Sequence, residues 1–145
     1  MTASPLIPAS WGEVIDKITI LRLKLAHIVD PAARGHVLRE YEALRAVAMP
    51  MLGQPAVAGA MAELQEINAR LWRIEDDIRR KEKSGVFDET FIVLARSVYI
   101  TNDLRAHVKR RINETLSSEL REEKFYAGGD VDEVMECVNP PCPKP

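Results

Sequence analysis

Between Ser10 and Leu116 the apolar residues recur at steps of three and four, in runs broken by proline, glycine or aspartate. The first run is Trp11, Val14, Ile15, Ile18, Leu21, Leu25 and Ile28. Ser10 stands before it as an N-cap, and Glu13, three residues on, completes a capping box. Asp30 and Pro31 end that run and start the next, the aspartate as N-cap and the proline at the first helical position. The second run holds Val37, Leu38, Tyr41, Leu44 and Val47, and stops around Pro50 and Gly53. Pro55 opens the third, whose stripe is Met61, Leu64, Ile67, Leu71, Ile74 and Ile78, with Gly85 placed as a C-cap glycine. Asp88 caps a fourth run from Phe91 to about Leu116. No stretch alternates apolar and polar residues long enough to form a strand.

The predicted fold is therefore all-α, a helical bundle of four main helices. The third and fourth helices, each about 40 to 45 Å long at 1.5 Å per residue, are joined by a short turn and form a long antiparallel hairpin. Residues 1–9 form an N-terminal extension, residues 10–127 a single domain, and residues 128–145 a flexible tail containing prolines and cysteines.

The fourth helix breaks its own pattern. Phe91, Leu94, Ala95 and Val98 form an inward stripe that runs into Asn102, Arg105 and Lys109 before returning to Ile112. Polar groups on an inward stripe must be hydrogen-bonded internally or open onto a cleft. Folding the hairpin at Ser84 to Val86 sets Glu75 across from Arg96, as an interhelical salt bridge, and Asn68 across from Asn102 and Asp103. Arg110 and Arg111 read as surface charge. Near the start of the first helix, Glu13, Asp16, Lys17 and Thr19 are too polar to be core, while Trp11 and Trp72 are core-edge aromatics.

Composition narrows the chemistry. With 145 residues and a net charge of -2, no general attraction to nucleic acid or anionic membranes is expected. No apolar run is long enough for membrane insertion, and the N-terminus has no secretory pattern, so a cytoplasmic protein is expected. Cys137 and Cys142 lie among prolines, far in sequence from His27, His36 and His107, so no metal site and no cofactor are predicted. Nucleophile-elbow and phosphate-loop motifs are missing. The pairs Glu13-x-x-Asp16 and Glu63-x-x-Glu66 match the magnesium motif of helical pyrophosphatases weakly, since their order is reversed. Arg79, Arg96, Arg105 and Lys109 could form the anion clamp of a helical mutase.

Four segments carry a resemblance: "WGEVIDKITIL", "INARLWRIEDDIRRKE", "LARSVYITNDLRAHVKRRIN" and "SSELREEKFYA". They are similar to a bacterial family of unknown function whose members are often encoded beside glycosyltransferases of surface-polysaccharide and lipopolysaccharide assembly. The T-N-D-x-R motif, Thr101 to Arg105, is its most specific part. The resemblance implies a bacterial cytoplasmic setting and a link with envelope sugar metabolism. It also makes Glu13, Asp16, Lys17, Asn68, Glu75, Asn102, Asp103, Arg105 and Lys109 the candidate ligand-binding residues.

The leading expectation is a binding or accessory protein with a polar groove between the first, third and fourth helices. Arg105 and Lys109 would hold an anionic group, and Asn102 and Asp103 would read hydroxyls or amides. Its partners would be a small anionic or sugar-like ligand and a protein partner or second copy. One alternative is an enzyme acting on a phosphorylated or carboxylated small molecule, with Glu13, Asp16 or Glu75 as acid, base or metal ligand. Another is a structural module whose polar stripe only fixes helix register.

Overall fold

The computed structural model describes residues 2–126. They contain four helices, α1 (Trp11–His27), α2 (Pro31–Leu52), α3 (Pro55–Ser84) and α4 (Glu89–Thr115), and no strand among the described residues. No helix among them is long and apolar enough to cross a membrane. The proline- and cysteine-containing stretch 128–145 lies outside the described residues, so the tail expectation is not addressed by the fold.

The local signals act where their chemistry places them. The Ser10 hydroxyl accepts from the Glu13 amide at 3.2 Å, the Asp30 carboxylate from Ala33 at 2.8 Å, and Asp88 from Phe91 at 3.0 Å. Each satisfies an amide that the first helical turn leaves without a partner. Gly85 adopts φ 65°, a left-handed conformation that costs a residue with a Cβ. Its amide bonds to Glu82 O and that of Val86 to Lys81 O, closing the C-terminus of α3. Lys81 reaches over the turn to Asp88 at 2.8 Å, so the hairpin bend is tied on both sides.

α2 ends where the sequence places its stop, running through Pro50 to Leu52 and ending at Gly53. Proline at this position costs a single backbone hydrogen bond, one turn from the end and on an exposed stretch where water replaces it.

The core lies at the base of the hairpin. Ile15 and Ile18 of α1 pack with Val57, Met61 and Leu64 of α3, Val108 and Ile112 of α4, and Ala48 of α2. The inward stripe expected at the start of α4 is not sealed: Phe91, Leu94 and Val98 are half-buried and Ala95 is exposed. The reason is length. α1 has 17 residues and α3 has 30, so α1 cannot follow the hairpin to its tip. Beyond its reach α3 and α4 have only each other, and two helices bury one stripe incompletely. α2 is likewise a lightly packed cover, with Tyr41 and Leu44 half-buried but Leu38 and Val47 exposed.

Candidate functional site

α1 brings two polar residues into the middle of this core. Asp16 is 1 % exposed and Thr19 0 %, which overturns the expectation that both were too polar to be core. They are tolerated because every group finds a partner. Arg105 of α4 clasps the Asp16 carboxylate with two bonds, Nε to Oδ1 at 2.9 Å and Nη2 to Oδ2 at 2.5 Å. The Asn68 amide of α3 donates to Asp16 Oδ1 at 2.9 Å and to Thr19 Oγ1 at 2.8 Å. Thr19 in turn donates to the Asp16 backbone carbonyl at 2.7 Å. One anion of α1 and one cation of α4 thus neutralise each other, with the neutral Asn68 amide of α3 completing the network. The Asp16 hydrogen bond, outweighing the opposing effect of burial, pushes the Arg105 guanidinium above its ordinary value.

The start of α1 is held by α4 and the segment after it. The Asn113 side chain accepts from the Gly12 amide at 2.7 Å, and the Ser118 hydroxyl from the Trp11 amide at 3.2 Å. Gly12 permits this approach, since a Cβ there would stand 2.6 Å from the Lys109 carbonyl oxygen. Glu13 does not complete its capping box with its side chain. Its carboxylate pairs instead with Lys109 at 2.6 Å, and Glu122 approaches the same ammonium at 2.5 Å. Lys124 pairs with Asp103.

Burial pulls the Lys109 ammonium down, but hydrogen bonds to Glu122 and Glu13 outweigh it and raise its pKa above the ordinary lysine value. A folded value above the unfolded one means that this contribution to stability is complete below the unfolded lysine pKa. It is lost as pH rises through the raised folded value. As pH rises above about 10, the ordinary lysine value, the melting temperature of the wild type should therefore fall more steeply than that of Lys109→Met. Thermal melts with parallel slopes for the two proteins would contradict the assignment.

A cleft of about 480 Å³ opens between α1, α3 and α4 beside the buried network. Asn102 and Arg105 form its α4 wall, and Asn68, Trp72, Glu75, Asp76 and Arg79 its α3 wall, over a floor from Ile20, Leu23 and Leu71. Trp72 stacks on His27 at 4.7 Å between ring centroids, which fixes the indole at the rim. An opening of similar size on the other side of the hairpin, lined by Glu63, Glu66, Arg70 and Arg73, contains none of the nine candidates.

The nine candidates therefore separate. Asn68, Glu75, Asn102 and Arg105 meet at the cleft, with Asp16 bonded to Arg105 and Asn68. Lys109 and Asp103 pair with Glu122 and Lys124 of the segment after α4, the exposed Glu13 pairs with Lys109, and Lys17 pairs with Glu40 of α2 at 2.5 Å. Arg105 and Lys109 are thus not two jaws of one anion site, because Lys109 is absent from the cleft lining and already holds two carboxylates. The Glu75–Arg96 bridge does not form. Glu75 pairs with Arg79 one turn along its own helix at 2.6 Å, a shorter reach than crossing to α4. Arg111 pairs with Glu63 at 2.9 Å, with both side chains nearly half exposed.

The magnesium and clamp patterns do not assemble either. Glu13, Asp16 and Glu63 each face a different cation, and of the four clamp candidates only Arg79 and Arg105 line the cleft. Among the described residues no group of three or more histidines, cysteines or carboxylates is placed to hold a metal ion. Sequence reasoning missed Asp76 at the cleft and Glu122 and Lys124 over α4. The last two had no readable signal, being 13 and 21 residues from the groups they bind.

The chain belongs to a family of unknown function, DUF6165, whose profile matches residues 7–132. No curated protein and no solved structure gives a significant match.

Proposed function

We propose that this protein is a small binding protein whose cleft between α1, α3 and α4 takes a polyhydroxylated, sugar-like ligand. The observation that carries this reading is the split polarity of the cleft. Its α4 wall offers donors: Arg105 Nη1 is outside the Asp16 clasp, and Asn102 spends its oxygen on Arg105 at 3.4 Å, leaving its amide hydrogens in no bond among the described residues. Its α3 wall offers the acceptors Glu75 and Asp76. A hydroxyl both donates and accepts, so a ring bearing several hydroxyls can bond to both walls at once. The apolar floor and the Trp72 indole suit the C–H face of such a ring.

The charge balance favours the same class of ligand. Arg105 is matched by Asp16 and Arg79 by Glu75, so the cleft has no surplus cation to drive binding of a bare phosphate or carboxylate. A volume of about 480 Å³ is suited to one or two sugar rings. In this reading the protein works in a bacterial cytoplasm beside enzymes that assemble surface polysaccharides. The cleft recognises its ligand and performs no bond-making step.

Titration calorimetry against neutral sugars, nucleotide sugars, sugar phosphates and inorganic phosphate tests the proposal. At least one sugar-bearing compound should bind. Asn102→Ala and Asp76→Ala, each removing one hydrogen-bonding side chain from one wall, should weaken it about tenfold, the equivalent of 1.4 kcal/mol. Binding of inorganic phosphate as tight as that of any sugar would replace this reading with an anion site. Silence from the whole panel would leave the network a structural role alone.

A further inference from the structure

The first half of α4 is more apolar than its surroundings warrant. From Phe91 to Ile100 the polar groups are Arg96, Ser97 and the Tyr99 hydroxyl. A helix that is apolar on every side belongs in an enclosed place. Here α3 is its one neighbour, because α1 stops short of this end of the hairpin. Phe91, Leu94 and Val98 are half-buried, whereas Ile92 is 53 %, Val93 55 % and Tyr99 51 % exposed.

The exposed side also carries a charge pattern. Glu89, Ile92, Arg96 and Tyr99 follow at steps of three, four and three, so they share one face of α4, and all four are exposed. The ion pairs at this end of the hairpin are Arg79 with Glu75, Arg80 with Asp77 and Lys81 with Asp88. Asp103, next along the face, is paired with Lys124. Glu89 and Arg96 belong to no ion pair among the described residues. They stand two turns apart, one on each side of Ile92.

We infer that this face is the contact of a homodimer, in which α4 packs antiparallel against α4 of a second copy across a two-fold axis near Ile92. The charge pattern names the occupant. An antiparallel pair centred there sets Glu89 beside Arg96 of the partner subunit, and Arg96 beside Glu89 of the partner subunit. A parallel pair would set like charges together. An acid and a base, one on each side of an apolar residue, are what a two-fold demands of a surface, where position i meets j and j meets i. A foreign partner makes no such demand. Ile92, Val93 and Tyr99 of both copies supply the apolar contact. The face from Glu89 to Tyr99 is about 15 Å long, which places the interface at the small, reversible end of the range.

Sedimentation equilibrium of the full-length chain tests this by charge exchange. The wild type should form a dimer that dissociates on dilution. Arg96→Glu and Glu89→Lys, each studied alone, put like charges at both contacts, because the two-fold doubles every change. Each should weaken dimerisation by about tenfold or more. Mixed in equal amounts the two variants should regain the wild-type association, since every contact in the mixed dimer joins opposite charges. The double variant Glu89→Lys/Arg96→Glu should regain it within one chain. Both side chains are exposed, so helix content by circular dichroism should stay that of the wild type. A wild type that remains monomeric up to about 1 mM would overturn the proposal. So would single variants that dimerise as well as the wild type, or a mixture that associates no better than its components.

Discussion

Arg105→Met is expected to cost about 3 to 5 kcal/mol of stability, the range for removing one partner of a buried ion pair. The Asp16 side chain is 2 % exposed and would keep only the Asn68 amide as a donor to its carboxylate. The methionine fills much of the arginine's volume, so the loss reads the unpaired charge more than a cavity. Asp16→Asn tests the cause from the other side. It removes the charge, and Arg105, with its side chain 27 % exposed, can turn its guanidinium toward water. The single change at Asp16 should therefore be milder than that at Arg105, and the double variant Asp16→Asn/Arg105→Met should recover part of the loss. Urea unfolding of the four proteins measures this coupling. A loss below about 1 kcal/mol for Arg105→Met would mean that the clasp contributes no more than an ordinary surface pair.

Gly12→Ala is the second large effect, expected at about 2 to 4 kcal/mol from overpacking together with a broken hydrogen bond. The new methyl would stand 2.6 Å from the Lys109 carbonyl oxygen and 3.0 Å from the Asn113 side-chain oxygen. A carbonyl in the middle of a helix cannot rotate away, so α1 must withdraw. Withdrawal loosens the Gly12 amide from Asn113 and the Trp11 amide from Ser118, leaving helix-start N–H groups without partners. Gly59→Ala is the control, since nothing lies within 4 Å of a Cβ there. It should leave stability unchanged or raise it by about 0.5 to 1 kcal/mol through the better helix propensity of alanine. Equal melting temperatures for the two variants would remove the close-approach role of Gly12.

Both effects centre on residues whose importance is only half visible in sequence. Asn102, Arg105 and Lys109 stand out because they interrupt an apolar stripe, and these three and Asn113 are wholly or partly buried in the fold. The stripe does not show that they serve three different places. Asn113 holds the start of α1, Lys109 binds the segment after α4, and Arg105 with Asn102 forms the cleft wall. Gly12 reads in sequence as a small residue near a helix start. Its role depends on the Lys109 carbonyl, nearly a hundred positions away.

The four helices, their caps and the hairpin are legible in the order of residues alone. Those features rest on interactions within three or four residues, such as Ser10 with Glu13, Asp88 with Phe91, and the left-handed Gly85. Local backbone chemistry is complete in such a window, so spacing alone can reveal it. Which polar residues are buried, and what they hold, follows from how the helices pack. Asp16 lies four to five residues from the start of an amphipathic helix and looks like surface. It is core because Asn68 and Arg105, 52 and 89 residues distant, supply the bonds that make its burial tolerable. A charge's place inside or outside a protein is set by whether partners reach it, and reach across helices is a property of packing.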